Sequence, residues 1–128
     1  MINHSKSVRM GVKKSLMVVD MPYKTYDTIS STIKNVKKVL KETKCDAVKL
    51  EGGAKIINQV KVLIKNKIPV LGHLGLLPQS NKGKFKSKGK TTREIKKLFS
   101  DALLLQKAGV FAIVLECVPY PVAEAITN

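Results

Sequence analysis

Three observations predict an α/β fold with a parallel sheet. Short apolar runs occur at residues 15–20, 47–51, 68–71 and 111–116. They are continuous instead of alternating, the pattern of strands covered on both faces. Between them lie segments whose apolar residues recur every three or four positions, as on one face of a helix. Strand and helix alternate regularly, which implies parallel strands joined by crossovers.

Taken in order, Ile2 to Met10, followed by Gly11, reads as the last turns of a helix. Ser15-Leu16-Met17-Val18-Val19-Asp20 is the first strand, closed by the turn formers Met21-Pro22. Residues 27–44 carry Ile29, Ile33, Val36 and Leu40 on a helical stripe with lysines opposite. Ala47 to Glu51 is the second strand, and Ile56, Ile57, Val60, Leu63 and Ile64 mark the second helical stripe. The third strand is Ile68-Pro69-Val70-Leu71, ending in Gly72-His73. A long polar loop spans 75–91. Thr92 is placed to cap a helix bearing Ile95, Leu98, Phe99, Ala102 and Leu105, with Gly109 at the position where helices stop. Phe111 to Glu116 is the fourth strand, and residues 122–126 read as the first turns of another helix.

Four β/α units fit either an open doubly wound sheet or part of a (β/α)8 barrel, which when complete needs about 200 residues or more. A chain of 128 residues that opens and closes in half-helices reads as a piece of the second kind, about half a barrel in one partial domain, 1–128.

Composition narrows the class. With 44% hydrophobic residues the chain can form a core. No apolar run approaches the roughly 20 residues of a membrane span, and the N-terminus lacks the apolar centre of a signal peptide, so a soluble cytoplasmic protein is expected. Cys45 and Cys117 form no C-x-x-C pair and indicate neither a metal knuckle nor a redox motif. The formal net charge of +15 raises a nucleic-acid partner. Its lysines, however, are scattered over almost every helix, and the one dense cluster, Lys82 to Lys90, has only Phe85 as an interleaved aromatic. Solvated helix faces are the expected reading, with a basic nucleic-acid-binding module as the alternative.

The strands end in Asp20, in Lys49 and Glu51, in His73 and in Glu116. Lys49 and Glu51 lie two apart and so share one face of their strand. In parallel α/β folds the C-terminal strand ends line the ligand site. Each residue has a plainer reading: Asp20 bonding its turn, His73 as a satisfied structural histidine, Glu116 paired with a rim lysine, Lys49 and Glu51 as an ion pair. A purely structural account must explain the same placement on four successive strands. Three carboxylates, a lysine and a histidine suit Mg²⁺, polarisation of a 2-oxo acid, proton removal by a carboxylate and capture of a substrate carboxylate by lysine.

At these residues the sequence resembles the ketopantoate hydroxymethyltransferase (3-methyl-2-oxobutanoate hydroxymethyltransferase) family. The motifs carrying the resemblance are VVDMP at 18–22, VKLEGG at 48–53, PVLGHLGLLPQS at 69–80, SDALLLQKAG at 100–109 and IVLECVP at 113–119. They follow the family's order over essentially the whole chain. The resemblance implies a (β/α)8 barrel, here its strands three to six, and a homo-oligomer, a decamer in the family. It implies Asp20 as a magnesium ligand that also touches the 2-oxo acid, Lys49 and His73 as substrate-binding, and Glu51 in the metal site. Glu116 is implied as the general base that deprotonates C3 of 3-methyl-2-oxobutanoate for attack on 5,10-methylenetetrahydrofolate. An inactive shortened product is the alternative. The family's early D-S-L-G segment, with a further metal aspartate and a serine, and its late G-I-G-A-G strand are not in these residues. The loop after Ser80 keeps Phe85-Lys86 and Gly89-Lys90-Thr91 but carries Asn81-Lys82-Gly83-Lys84 where the family has apolar and glycine residues.

Overall fold

The computed structural model describes residues 1–79, 83 and 86–128. The elements are α1 (Ile2–Gly11), β1 (Val18–Asp20), α2 (Ile29–Thr43), β2 (Ala47–Glu51), a 3-10 turn (Ala54–Ile56), α3 (Ile57–Lys65), β3 (Val70–Gly75), α4 (Thr92–Ala108), β4 (Ala112–Glu116) and α5 (Tyr120–Thr127). The four strands form one sheet in the order β1-β2-β3-β4, every pair parallel.

That order separates the two candidate architectures. A doubly wound sheet reverses its winding at a switch point and carries helices on both faces. Here each crossover steps the same way, and α1 packs on α2, α2 on α3, α3 on α4 and α4 on α5 as one continuous layer. Val19, Val48, Leu50, Val70 and Leu74 meet Val36, Val39, Val60, Leu63, Leu98 and Leu105 in a single core between sheet and helices. The chain is thus an α/β fold of four β/α units wound in one direction, as in half of a (β/α)8 barrel.

Several local readings shift. Only Val18–Asp20 of the first apolar run pairs; Leu16 lies 62% exposed, because Met17 turns its backbone to Asp46 through Met17 N to Asp46 Oδ2 (2.8 Å) and Asp46 N to Met17 O (2.9 Å). As an edge strand, β1 is covered on one face only, by Val19. The stripe of α2 is rotated from the expected one. Thr32, Val36, Val39 and Thr43 are buried, whereas Ile29 is 47% exposed. The threonines pack as apolar residues because their hydroxyls bond backbone carbonyls, Thr32 to Thr28 O (2.6 Å) and Thr43 to Val39 O (2.8 Å). Strand β3 starts later and runs further than its apolar run, so His73 lies within it. Thr91, not Thr92, caps α4, in a reciprocal capping box with Glu94, and Gly109 ends the helix in the left-handed region as expected.

The lysine cluster at 82–90 falls partly outside the described residues. Of its described members, Lys88 N donates to Cys117 O at 2.9 Å. Among the described residues no helix is long and apolar enough to cross a membrane.

Candidate active site

The strand register places Asp20 opposite Lys49 and Glu51 opposite His73, while Gly75 is opposite Glu116. With a side-chain period of two, Asp20, Lys49, Glu51, His73 and Glu116 all project from one face of the sheet, the face away from the helix layer. All five residues singled out at strand ends are therefore brought to one surface, near the C-terminal edge, which in a barrel is the inner wall at the ligand end.

Neighbouring strands are linked by neighbouring charges. Lys49 Nζ lies 2.9 Å from Asp20 Oδ2. His73 sits between two carboxylates, with Nδ1 3.7 Å from Glu51 Oε1 and Nε2 3.0 Å from Glu116 Oε2. Neither ring nitrogen makes a hydrogen bond, and either approach is an ion pair only when the ring is protonated. His73 is 1% exposed and Glu51 is buried, whereas the Glu116 side chain is 37% exposed. Burial, helped by the Lys49 charge, holds the His73 imidazole below its ordinary pKa, and the nearby carboxylates only partly oppose this. Burial likewise raises the Glu51 carboxyl above the usual carboxylate range, partly offset by the hydrogen bond from Gln79 N at 3.2 Å. The buried ring and the buried acid are thus both pushed toward their neutral forms.

Two residues join the site that the strand-end argument did not find. The Tyr26 hydroxyl accepts the backbone N–H of Glu51 at 3.3 Å, and burial raises the pKa of this phenol. Gln79, besides bonding Glu51, holds its side-chain Oε1 buried without a partner. Both line a cavity of about 310 Å³ beside Glu51, with Tyr23, Lys55 and Leu77 on its walls. A tyrosine in a turn and a glutamine after a proline have no periodicity to expose them. Their contact with Glu51 does so, although Gln79 also lies within the PVLGHLGLLPQS motif.

Asp20 gives one oxygen to Lys49, and its other oxygen, Oδ1, is buried with no hydrogen-bond partner. An uncommitted carboxylate oxygen beside a second carboxylate, Glu51, suits Mg²⁺ chemically. Among the described residues no group of three or more His, Cys, Asp or Glu could hold a metal ion by itself. Asp20, through its uncommitted oxygen, and Glu51 fit as two donors of a coordination sphere.

The family model described as ketopantoate hydroxymethyltransferase matches residues 1–128. The chain belongs to this family. Family relatives named 3-methyl-2-oxobutanoate hydroxymethyltransferase include one from Pelagibacter ubique (strain HTCC1062), 61% identical over 128 residues, covering 100% of this chain and 49% of the relative. A relative of the same name from Clostridium botulinum (strain Alaska E43 / Type E3) is 52% identical over 99% of this chain and 47% of its own length. A third, from Acetivibrio thermocellus, is 51% identical over 100% of this chain and 46% of its own. The chain spans about half the length of the curated relatives it matches.

Proposed function

We propose that these residues carry half of the barrel, and one wall of the active site, of a 3-methyl-2-oxobutanoate hydroxymethyltransferase. In this reading the enzyme is cytoplasmic, Mg²⁺-dependent and homo-oligomeric, and it supplies 2-dehydropantoate for pantothenate and coenzyme A synthesis. The observation that carries the reading is the convergence of Asp20, Lys49, Glu51, His73 and Glu116 on one sheet face in a member of this family.

The roles are those the family resemblance implies, and the positions of the residues support them. Lys49 has ammonium donors left after its pairing with Asp20 and binds the carboxylate of 3-methyl-2-oxobutanoate. Asp20, through its uncommitted oxygen, and Glu51 would hold the Mg²⁺. When bound, the ion supplies Lewis acidity at the 2-oxo group. Of the two carboxylates not engaged by a lysine, Glu51 and Glu116, Glu116 is the more accessible, and it removes the proton from C3. His73, buried between Glu51 and Glu116 with its imidazole pKa lowered by burial, has both ring nitrogens without a hydrogen-bond partner and binds the substrate. Water adds the hydroxyl oxygen to the methylene carbon of 5,10-methylenetetrahydrofolate as its two carbon–nitrogen bonds break and tetrahydrofolate leaves; the C3 carbanion, delocalised as the enolate, forms its new carbon–carbon bond to that carbon, and the proton taken by Glu116 returns to the new hydroxyl.

The test is a chimera in which residues 1–128 replace the matching half of the Pelagibacter ubique relative. The expected result is Mg²⁺-dependent conversion of 3-methyl-2-oxobutanoate and 5,10-methylenetetrahydrofolate to 2-dehydropantoate, lost on chelation. A folded chimera that binds the 2-oxo acid but transfers no one-carbon unit would overturn the proposal.

A further inference from the structure

Among the described residues, Glu51, His73 and Asp101 are the buried carboxyl and imidazole side chains. The first two belong to the site above, and Asp101 belongs to the SDALLLQKAG motif, which that reading leaves unused. It stands on the buried stripe of α4 with Leu98, Ala102 and Leu105. Its Oδ1 accepts the backbone N–H of Ala54 at 3.1 Å, and its Oδ2 lies 2.8 Å from Lys97 Nζ. The carboxylate thus reaches from α4 to the third residue past the end of β2, its burial offset by one backbone donor and one lysine.

What it grips is the backbone directly after Glu51. Strand β2 ends at Glu51 and the chain turns through Gly52-Gly53 into Ala54. Gly52 adopts φ +123°, and its N–H donates to His73 O at 3.0 Å. A methyl group on Gly53 would lie 2.2 Å from Asp101 Cγ and 2.4 Å from Asp101 Cβ, so the glycine exists where the aspartate sits. Two successive glycines are the most permissive backbone a chain can have. On its N-terminal side Glu51 is anchored by the Tyr26 hydroxyl, and on its C-terminal side by the Gly52 bond to β3 and by Asp101.

We propose that Asp101 is a positioning residue that clamps the Gly52-Gly53-Ala54 turn and thereby fixes the Glu51 carboxylate against His73. The proposal rests on the reading of Glu51 as part of the working site. Loss of the clamp lets the glycine pair relax, leaves the Ala54 N–H unpaired, and swings the carboxylate away from its partners. Supporting residues behind a metal-site ligand typically matter by about 10- to 100-fold.

The chimera described above tests this with two readouts. Asp101→Ala is expected to lower kcat by about 10- to 100-fold while KM for the 2-oxo acid stays within a few-fold, and Asp101→Asn, which keeps the acceptor for Ala54, restores most of the rate. The second readout needs no turnover: the His73 imidazole resonances, identified by their disappearance in His73→Gln, shift in Asp101→Ala and stay in place in Asp101→Asn. Equal kcat in Asp101→Ala and the unsubstituted chimera, or unmoved His73 resonances in Asp101→Ala, would overturn the clamp. If Asp101→Ala does not fold, Gly53→Ala displaces the carboxylate while keeping it, and a folded Gly53→Ala with unshifted His73 resonances overturns the clamp equally. Absence of transfer by the unsubstituted chimera counts against the proposed function alone, since the resonance readout still decides the clamp.

Discussion

Gly75→Ala is a sharp probe of how tightly the end of β3 governs the proposed base. Gly75 is the last residue of β3, paired in register with Glu116, and its φ is +92°. An added Cβ would stand 2.2 Å from the Glu116 carbonyl oxygen and 2.8 Å from Val118 Cγ2. Real Cβ contacts essentially never fall below 3.0 Å, so β3 and β4 must part by about 0.8 Å at the point where Glu116 is held. The left-handed backbone costs about 1–2 kcal/mol for a residue with a side chain. The adjacent hydrogen bond from Leu76 N to Glu116 O, 2.9 Å, is stretched or lost at about 1 kcal/mol. Together these give a destabilisation of roughly 2–3 kcal/mol. A displacement near 1 Å at a reacting group costs on the order of 100-fold in rate. The assay is exchange of the C3 proton of 3-methyl-2-oxobutanoate in D₂O, followed by NMR in the chimera, with a urea melt beside it. Exchange at the unsubstituted rate together with an unchanged melting midpoint would refute the coupling between Gly75 and Glu116.

Further outcomes follow from the same geometry. Glu116→Gln should slow that exchange by about 10²- to 10⁴-fold, the range for a general base, while KM for the 2-oxo acid moves little; exchange at the original rate removes Glu116 from the role. Asp20→Asn should weaken Mg²⁺ binding by at least about tenfold in titration calorimetry, and unchanged affinity would take the ion elsewhere. Thr91→Ala should cost about 1 kcal/mol through the lost α4 cap, measured by chemical denaturation. Hydrogen bonds from the Lys90 and Thr91 backbone lower the pKa of Glu94, the other half of that capping box. Its contribution is therefore complete above the unfolded value, about 4.3, and fades as pH falls through the lower folded value. A melt series that shows no Glu94-dependent loss on acidification, compared with Glu94→Ala, contradicts this. Residues 1–128 expressed alone should show little transfer and should self-associate through the unpaired edges of β1 and β4; a monomeric, active preparation contradicts that expectation.

Much of this was legible because strands and ligand sites both leave periodic traces. Apolar runs ending in Asp20, Glu51 and Glu116 marked both the sheet and the end of it that carries charge. A two-residue spacing put Lys49 and Glu51 on one face, and the observed register extends that face across all four strands. What escaped had a physical reason. Thr32 and Thr43 read as polar in a sequence, yet are buried because a helix offers their hydroxyls a carbonyl four residues back. The true β3 includes glycines and a histidine, which dilute its apolar signal. Tyr26 and Gln79 act from loops, where spacing carries no information. Asp101 did leave a trace, an acid inside the stripe Leu98, Ala102, Leu105, but a stripe read only for its apolar members passes over it.

The Lys49–Asp20 ion pair that bridges β1 to β2, and the approaches of His73 to Glu51 and Glu116 that bridge β2 to β3 and β3 to β4, exist only in the register observed. A slip of one residue between any two strands would turn one strand's ionisable side chains into the helix layer and its valines and leucines outward. An aliphatic core can tolerate some such exchange, since one branched side chain packs much like another. A lysine facing an aspartate cannot. The wall of the site thus serves as a checksum on strand pairing: a sheet assembled out of step would bury unpaired charge, and whatever survived would be recognised by its silence in the exchange assay.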